Sequence, residues 1–87
     1  MNIEESKNAI LANGKTISES VKFLFKEYTG KSDLNTEDFE SRLNNIFRQF
    51  NIPITFKVLI GNGNVDIHPA DDQSKQLVQF CQENNII

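Results

Sequence analysis

Between residues 17 and 28 the apolar positions are Ile17, Val21, Leu24, Phe25 and Tyr28, a spacing that lines one face of an α-helix. The same spacing recurs at Phe39, Leu43, Ile46, Phe47 and Phe50, so two amphipathic helices are expected to share a core. Ile3, Ile10 and Leu11 mark a shorter helix from about Ile3 to Ala12, with Asn13 and Gly14 ending it through a left-handed cap. "TISE" at 16–19 then reads as a capping box that opens the second helix, which "TGKSD" at 29–33 breaks. Asn35 is the expected cap of the third helix, with Glu37, Asp38 and Glu40 complementing the positive end of its dipole. Asn51, as a left-handed cap, and Pro53 end it.

From residue 54 the period changes to two. Ile54, Phe56, Val58 and Ile60 alternate with Thr55, Lys57 and Leu59, the pattern of a half-buried strand. Asn62-Gly63 is the preferred pair for a two-residue hairpin turn. That turn sets a register of Gly61 opposite Asn64, Ile60 opposite Val65, Leu59 opposite Asp66, Val58 opposite Ile67 and Lys57 opposite His68. Every inward residue then meets an apolar one, and Lys57, Leu59, Asp66 and His68 share the outer face. A fourth helix is expected from Pro69 or Ala70 to about Asn84, with Asp71 and Asp72 in its first turn and a stripe of Ala70, Ser74, Leu77, Val78 and Cys81. The expectation is a compact, mostly helical α+β domain spanning residues 1–87, in the order α-α-α-β-β-α with one antiparallel hairpin.

Composition narrows the function by exclusion. A chain of 87 residues supports one core, and seven phenylalanines supply large burying groups for it. One cysteine makes no internal bridge, the longest apolar run, "AILA", is too short to span a membrane, and the first residues lack the pattern of a signal peptide. A cytoplasmic location is the expectation. The net charge of −3 argues against binding nucleic acid by bulk electrostatics, although the first 33 residues hold five lysines against five acids.

No motif carries a catalytic signature. "GNGN" joins two strands rather than a strand and a helix, so it reads as a turn and not a phosphate loop. His68, with Asp66 on the same strand face and Asp71 nearby, has the makings of a base or metal ligand, but the chain offers no second histidine and only Cys81, on an inward stripe. The acids at 37, 38, 40, 71 and 72 fall at helix starts, where the dipole alone accounts for them. No catalytic residue, cofactor or metal is expected.

Lys7, Lys15, Lys22, Lys26 and Lys31 could form a patch over the first two helices, and "ANGKTISESVKFL" looks like the glycine-turn portion of some helix-turn-helix segments. Three helices followed by a hairpin is also an element order similar to a winged helix. That resemblance implies a nucleic-acid-binding regulator whose third helix enters the major groove, where Glu37, Asp38 and Glu40 would face phosphates of like charge. Nucleic acid is therefore the disfavoured partner, with Lys15, Lys22 and Lys26 its contact residues.

Phe23, Leu59, Phe80 and the terminal Ile86 and Ile87 are apolar residues outside the predicted stripes, and either widen the buried faces or form an exposed patch. Phe23, Leu59 and Phe80, together with Lys57, Asp66 and His68, form the expected partner-binding set. The leading expectation is a non-enzymatic protein-interaction module, a small regulator or inhibitor that binds a macromolecular partner. Small size and abundant Asn and Lys suit a phage or mobile-element protein directed at a host factor. Self-association through the Leu59 patch is a companion expectation.

Overall fold

The computed structural model describes residues 2–29, 35–61 and 64–87 of the chain. Where two helices are expected, one is found: α1 (Ile3–Tyr28) runs unbroken through Asn13, Gly14 and the capping-box sequence. It is followed by α2 (Thr36–Arg48), β1 (Phe56–Gly61), β2 (Asn64–Pro69) and α3 (Asp72–Glu83), a mostly helical α+β arrangement. Among the described residues two helices precede the hairpin, not the three of a winged-helix order.

The reason lies in helical phase. Ile3, Ile10, Ile17 and Leu24 recur every seven residues, and seven residues bring an α-helix back to nearly the same face. Ile10, Ile17, Val21, Leu24 and Tyr28 are all buried, so one core contact surface crosses the Asn13-Gly14 step. Continuing the helix keeps these residues in register, whereas a break there would rotate one half away from the core. Leu11, expected on the inward side, is turned outward and is 54% exposed.

Gly14 serves packing rather than termination. A Cβ at this position would stand 3.0 Å from Ile86 Cδ1 and 3.2 Å from Ile86 Cγ1. The missing side chain lets the segment after α3 lie close against α1. Asn13 turns its side-chain amide back to the Ala9 carbonyl, at 2.9 Å, which satisfies it within the helix. At the start of α1 the Asn2 side chain accepts from the Glu5 N–H at 2.9 Å.

The other helices follow the expected rules more closely. Asn35 caps α2 by accepting from the Asp38 N–H at 3.1 Å. Phe39, Leu43 and Phe47 are buried, and Phe39 takes edge-on contacts from Phe25 and Tyr28, each with ring centroids 5.2 Å away. After α2, Asn51 adopts φ 58° and the Ile52 N–H returns to the Phe47 carbonyl at 3.1 Å. After α3, Asn85 adopts φ 59° and the Ile86 N–H returns to the Cys81 carbonyl at 2.9 Å. Both endings are left-handed caps, and in both the next residue, Ile52 or Ile86, is buried against the core.

The fourth expected helix begins later than its proline suggests. Pro69 is the last residue of β2, opposite Phe56, and the cap of α3 is Asp71, which accepts from the Ser74 N–H at 2.7 Å. The Ala70 N–H donates to the Thr55 carbonyl at 2.8 Å, holding residue 70 to the strand side and off the helical stripe. Buried Ser74 then accepts from the Thr55 N–H at 2.9 Å. Both backbone groups of Thr55 are thereby used to seat the first turn of α3.

The hairpin register is the expected one throughout, from Gly61 opposite Asn64 to Phe56 opposite Pro69, while the Asn62-Gly63 turn itself and the 30–33 part of the expected helix break lie outside the described residues. Ile54, Phe56 and Val58 are buried, and Val65 and Ile67 are half-buried on the same side. The structure expects a specific coupling at Gly14. A helix-interior glycine costs roughly 0.5–1 kcal/mol relative to alanine. Gly14→Ala should therefore stabilise an Ile86→Ala background by about that amount in urea denaturation, and the native background by clearly less. Equal gains in the two backgrounds would remove the packing explanation.

Candidate functional site

The hairpin has two edges, and they are treated differently. In an antiparallel ladder, residues alternate between those whose backbone groups point to the partner strand and those whose groups point away. Phe56 and Val58 point away from β2. The Phe56 N–H donates to Asn44 Oδ1 at 2.8 Å, the Phe56 carbonyl accepts from Asn44 Nδ2 at 3.3 Å, and the Val58 N–H donates to Glu40 Oε2 at 3.0 Å. Two side chains one turn apart on α2 thus occupy the outer edge of β1. Glu40, read from sequence as a dipole-complementing acid, is instead an acceptor for a strand.

The parity of the ladder then fixes the other edge. Lys57, Leu59 and Gly61 of β1 bond to His68, Asp66 and Asn64 of β2, and the Ala70-to-Thr55 bond continues the same alternation. Val65 and Ile67 therefore direct their N–H and C=O groups away from β1, and no side chain or backbone group among the described residues meets them. A groove of about 460 Å³ adjoins this strand, lined by Phe56, Ile67 and Pro69 of the hairpin, Lys75, Val78, Gln79 and Gln82 of α3, and Ile87.

The outer face of the hairpin brings together four of the residues singled out from sequence. Lys57, Leu59, Asp66 and His68 are all exposed, with Leu59 directly across from Asp66 and Lys57 across from His68. Leu59 is 49% exposed, an apolar side chain in a charged setting. Among the described residues no three His, Cys, Asp or Glu side chains converge to hold a metal ion.

The remaining candidates lie elsewhere. Phe23 is 69% exposed and borders a second groove, between α1 and α2, with Leu24, Ile46 and Arg42. Phe80 is not free in the way the sequence suggests. It is half-buried against the core, and the Lys7 ammonium lies 5.4 Å from its ring centroid. Lys15, Lys22 and Lys26 are exposed on α1, and the continuity of that helix sets them within about 40° of one another around its axis. Glu19 stands among them, one turn from both Lys15 and Lys22.

Beside the Phe23 groove, Arg42 links α2 to α1. Its Nη1 lies 3.1 Å from both oxygens of Glu27, and its Nε lies 3.4 Å from Asp38. The Glu27 hydrogen bonds and neighbouring negative charge hold the Arg42 guanidinium protonated above its ordinary range. The Tyr28 hydroxyl donates to Asp38, and that bond, with desolvation, raises the Tyr28 pKa. The cap Asp71 is held below the usual carboxylate range by the bonds it accepts from Ser74. These groups tie elements together and leave no unpaired nucleophile or base among them.

Cys81 is fully enclosed, and burial pushes its thiol up to about 11. A neutral buried thiol is a small apolar packing group and a poor nucleophile. Because its pKa is higher folded than unfolded, ionisation of the unfolded chain erodes stability as pH rises from about 9 toward about 11. Chemical denaturation across this range should show a shallower loss in Cys81→Ala than in the native chain, and identical slopes would contradict the burial of the thiol. In comparisons with known proteins, no family model matches the chain, and neither a curated protein nor a solved structure matches it.

Proposed function

We propose that this chain is a non-enzymatic protein-interaction module, a small regulator or inhibitor, and that it meets a protein partner through the outer face of its hairpin. The observation that carries this reading is Leu59. It is an apolar residue turned away from the core, on a strand held firmly by α2, with Lys57, Asp66 and His68 around it. An apolar centre with a charged rim is the usual composition of a protein-binding patch. A rigid strand also loses little conformational entropy on binding.

One observation favours a second reading, a nucleic-acid-binding regulator. The unbroken α1 places Lys15, Lys22 and Lys26 on one exposed face, where they would follow a phosphate backbone. Glu19 among them and the net charge of −3 weigh against it.

Two variants separate the readings. Leu59→Ser changes an exposed side chain without setting a charge across from Asp66, and should leave the thermal midpoint nearly unchanged while abolishing retention of the protein partner in quantitative affinity capture. Lys22→Ala with Lys26→Ala should leave that capture intact. If instead Leu59→Ser has no effect, and the lysine variants weaken a salt-sensitive mobility shift with nucleic acid, the second reading replaces the first.

A further inference from the structure

We infer that β2 pairs, through its open edge, with β2 of a second copy of this chain, in an antiparallel register centred on Ile67. This inference rests on the edge of the strand and not on the Leu59 face, so it stands apart from the proposed function. The outward backbone groups belong to Val65, Ile67 and, for its carbonyl alone, Pro69. A two-fold axis at Ile67 sets Ile67 against its own copy and Val65 against Pro69 of the second copy. Each Ile67 N–H then donates to the other Ile67 carbonyl, and each Val65 N–H donates to a Pro69 carbonyl. Pro69 lacks an N–H, and in this register its position costs only the acceptor pairing of Val65.

The side chains select the same register. On the inward side Ile67 meets Ile67 and Val65 meets Pro69, so residues only half-buried in one copy gain apolar neighbours. The groove beside Ile67 and Pro69, about 460 Å³, leaves room on that side. On the outward side Asp66 of each copy faces His68 of the other, a carboxylate opposite an imidazole at the closely spaced pairs of the ladder. Moving the axis by one residue, to Asp66, sets two carboxylates directly opposite each other, and moving it to His68 sets two imidazoles together. Only the Ile67-centred register matches backbone groups, inward apolar residues and outward charge at once.

The β1 edge is less available, because Asn44 and Glu40 already take both outward groups of Phe56 and the Val58 N–H. The pairing yields a four-stranded sheet of two copies whose outer strands are partly closed by α2 of each. Such closure is what protects a sheet edge from open-ended association.

Sedimentation over a concentration series, combined with amide exchange, tests the inference. The native chain should pass from monomer to dimer in the micromolar range, and the Val65 and Ile67 amides should slow with concentration while those of Asp66 and His68, already in the ladder, change little. His68→Glu places like charges opposite each other at two symmetric positions and should weaken the dimer by about tenfold. The double variant Asp66→Lys with His68→Glu restores opposite charges and should recover it. Leu59→Ser should leave the dimer unchanged, which keeps this outcome separate from that of partner capture. A chain that stays monomeric at all concentrations, a dimer indifferent to His68→Glu, or Val65 and Ile67 amides that gain no protection would each overturn the inference.

Discussion

Two side chains of α2, Asn44 and Glu40, hold the outer edge of β1, and the rest of the molecule's interface geometry depends on that hold. A two-stranded hairpin by itself is marginal in water. Here the Asn44 amide makes both bonds that a neighbouring strand would make to Phe56, and the Glu40 carboxylate takes the next outward N–H, at Val58. An α-helix sets these residues on the same face one turn apart, a spacing that meets alternate residues of a strand. The hairpin is thereby docked by its edge as well as by its inward face, where Phe56 and Phe47 pack with ring centroids 5.5 Å apart. With β1 held at Phe56 and Val58, β2 is the strand more available for pairing.

A second constraint operates between α1 and the segment after α3. α1 stays whole because its buried residues keep one phase across Gly14, and the space that Gly14 leaves is taken by Ile86. Ile86 reaches this position through the left-handed turn at Asn85, just as Ile52 is delivered by Asn51 after α2. The two asparagines do the same work: each reverses the backbone at a helix end and drives the following isoleucine inward. The long α1 consequently carries an exposed face with Leu11, Phe23 and three lysines, none of which the core requires.

Much of this was legible in the sequence, and the failures have local causes. The hairpin register, the inward and outward sets on it apart from Ile60, whose side chain lies outside the described residues, the Asn35 cap and the Asn51 turn follow from rules that depend on near neighbours, and these agree with the structure. Asn13-Gly14 followed by a capping-box sequence obeys the same local rules and still misleads, because the deciding contact, with Ile86, lies 72 positions further on. The seven-residue recurrence of Ile3, Ile10, Ile17 and Leu24 was the signal that identifies one helix. Pro69 reads equally well as a helix start or as an edge-strand residue, and the Ala70-to-Thr55 bond decides for the strand. Glu40 is indistinguishable by sequence from Glu37, since its role comes from a strand that is distant in the chain. The outer-face residues Leu59, Lys57, Asp66 and His68 were placed correctly together, whereas the open edge beside them emerges only when the β1 edge is seen to be occupied.

The central claim is that α2 side chains finish the outer edge of β1, and amide exchange of single residues measures this most directly. In the native chain the Phe56 and Val58 amides should be protected although neither bonds to a strand. Asn44→Ala should release Phe56 selectively, Glu40→Ala should release Val58, and each should lower stability by about 1–3 kcal/mol through the backbone groups left unmatched. Phe56 and Val58 amides that exchange at unprotected rates in the native chain, or that keep their protection after these substitutions, would contradict the account.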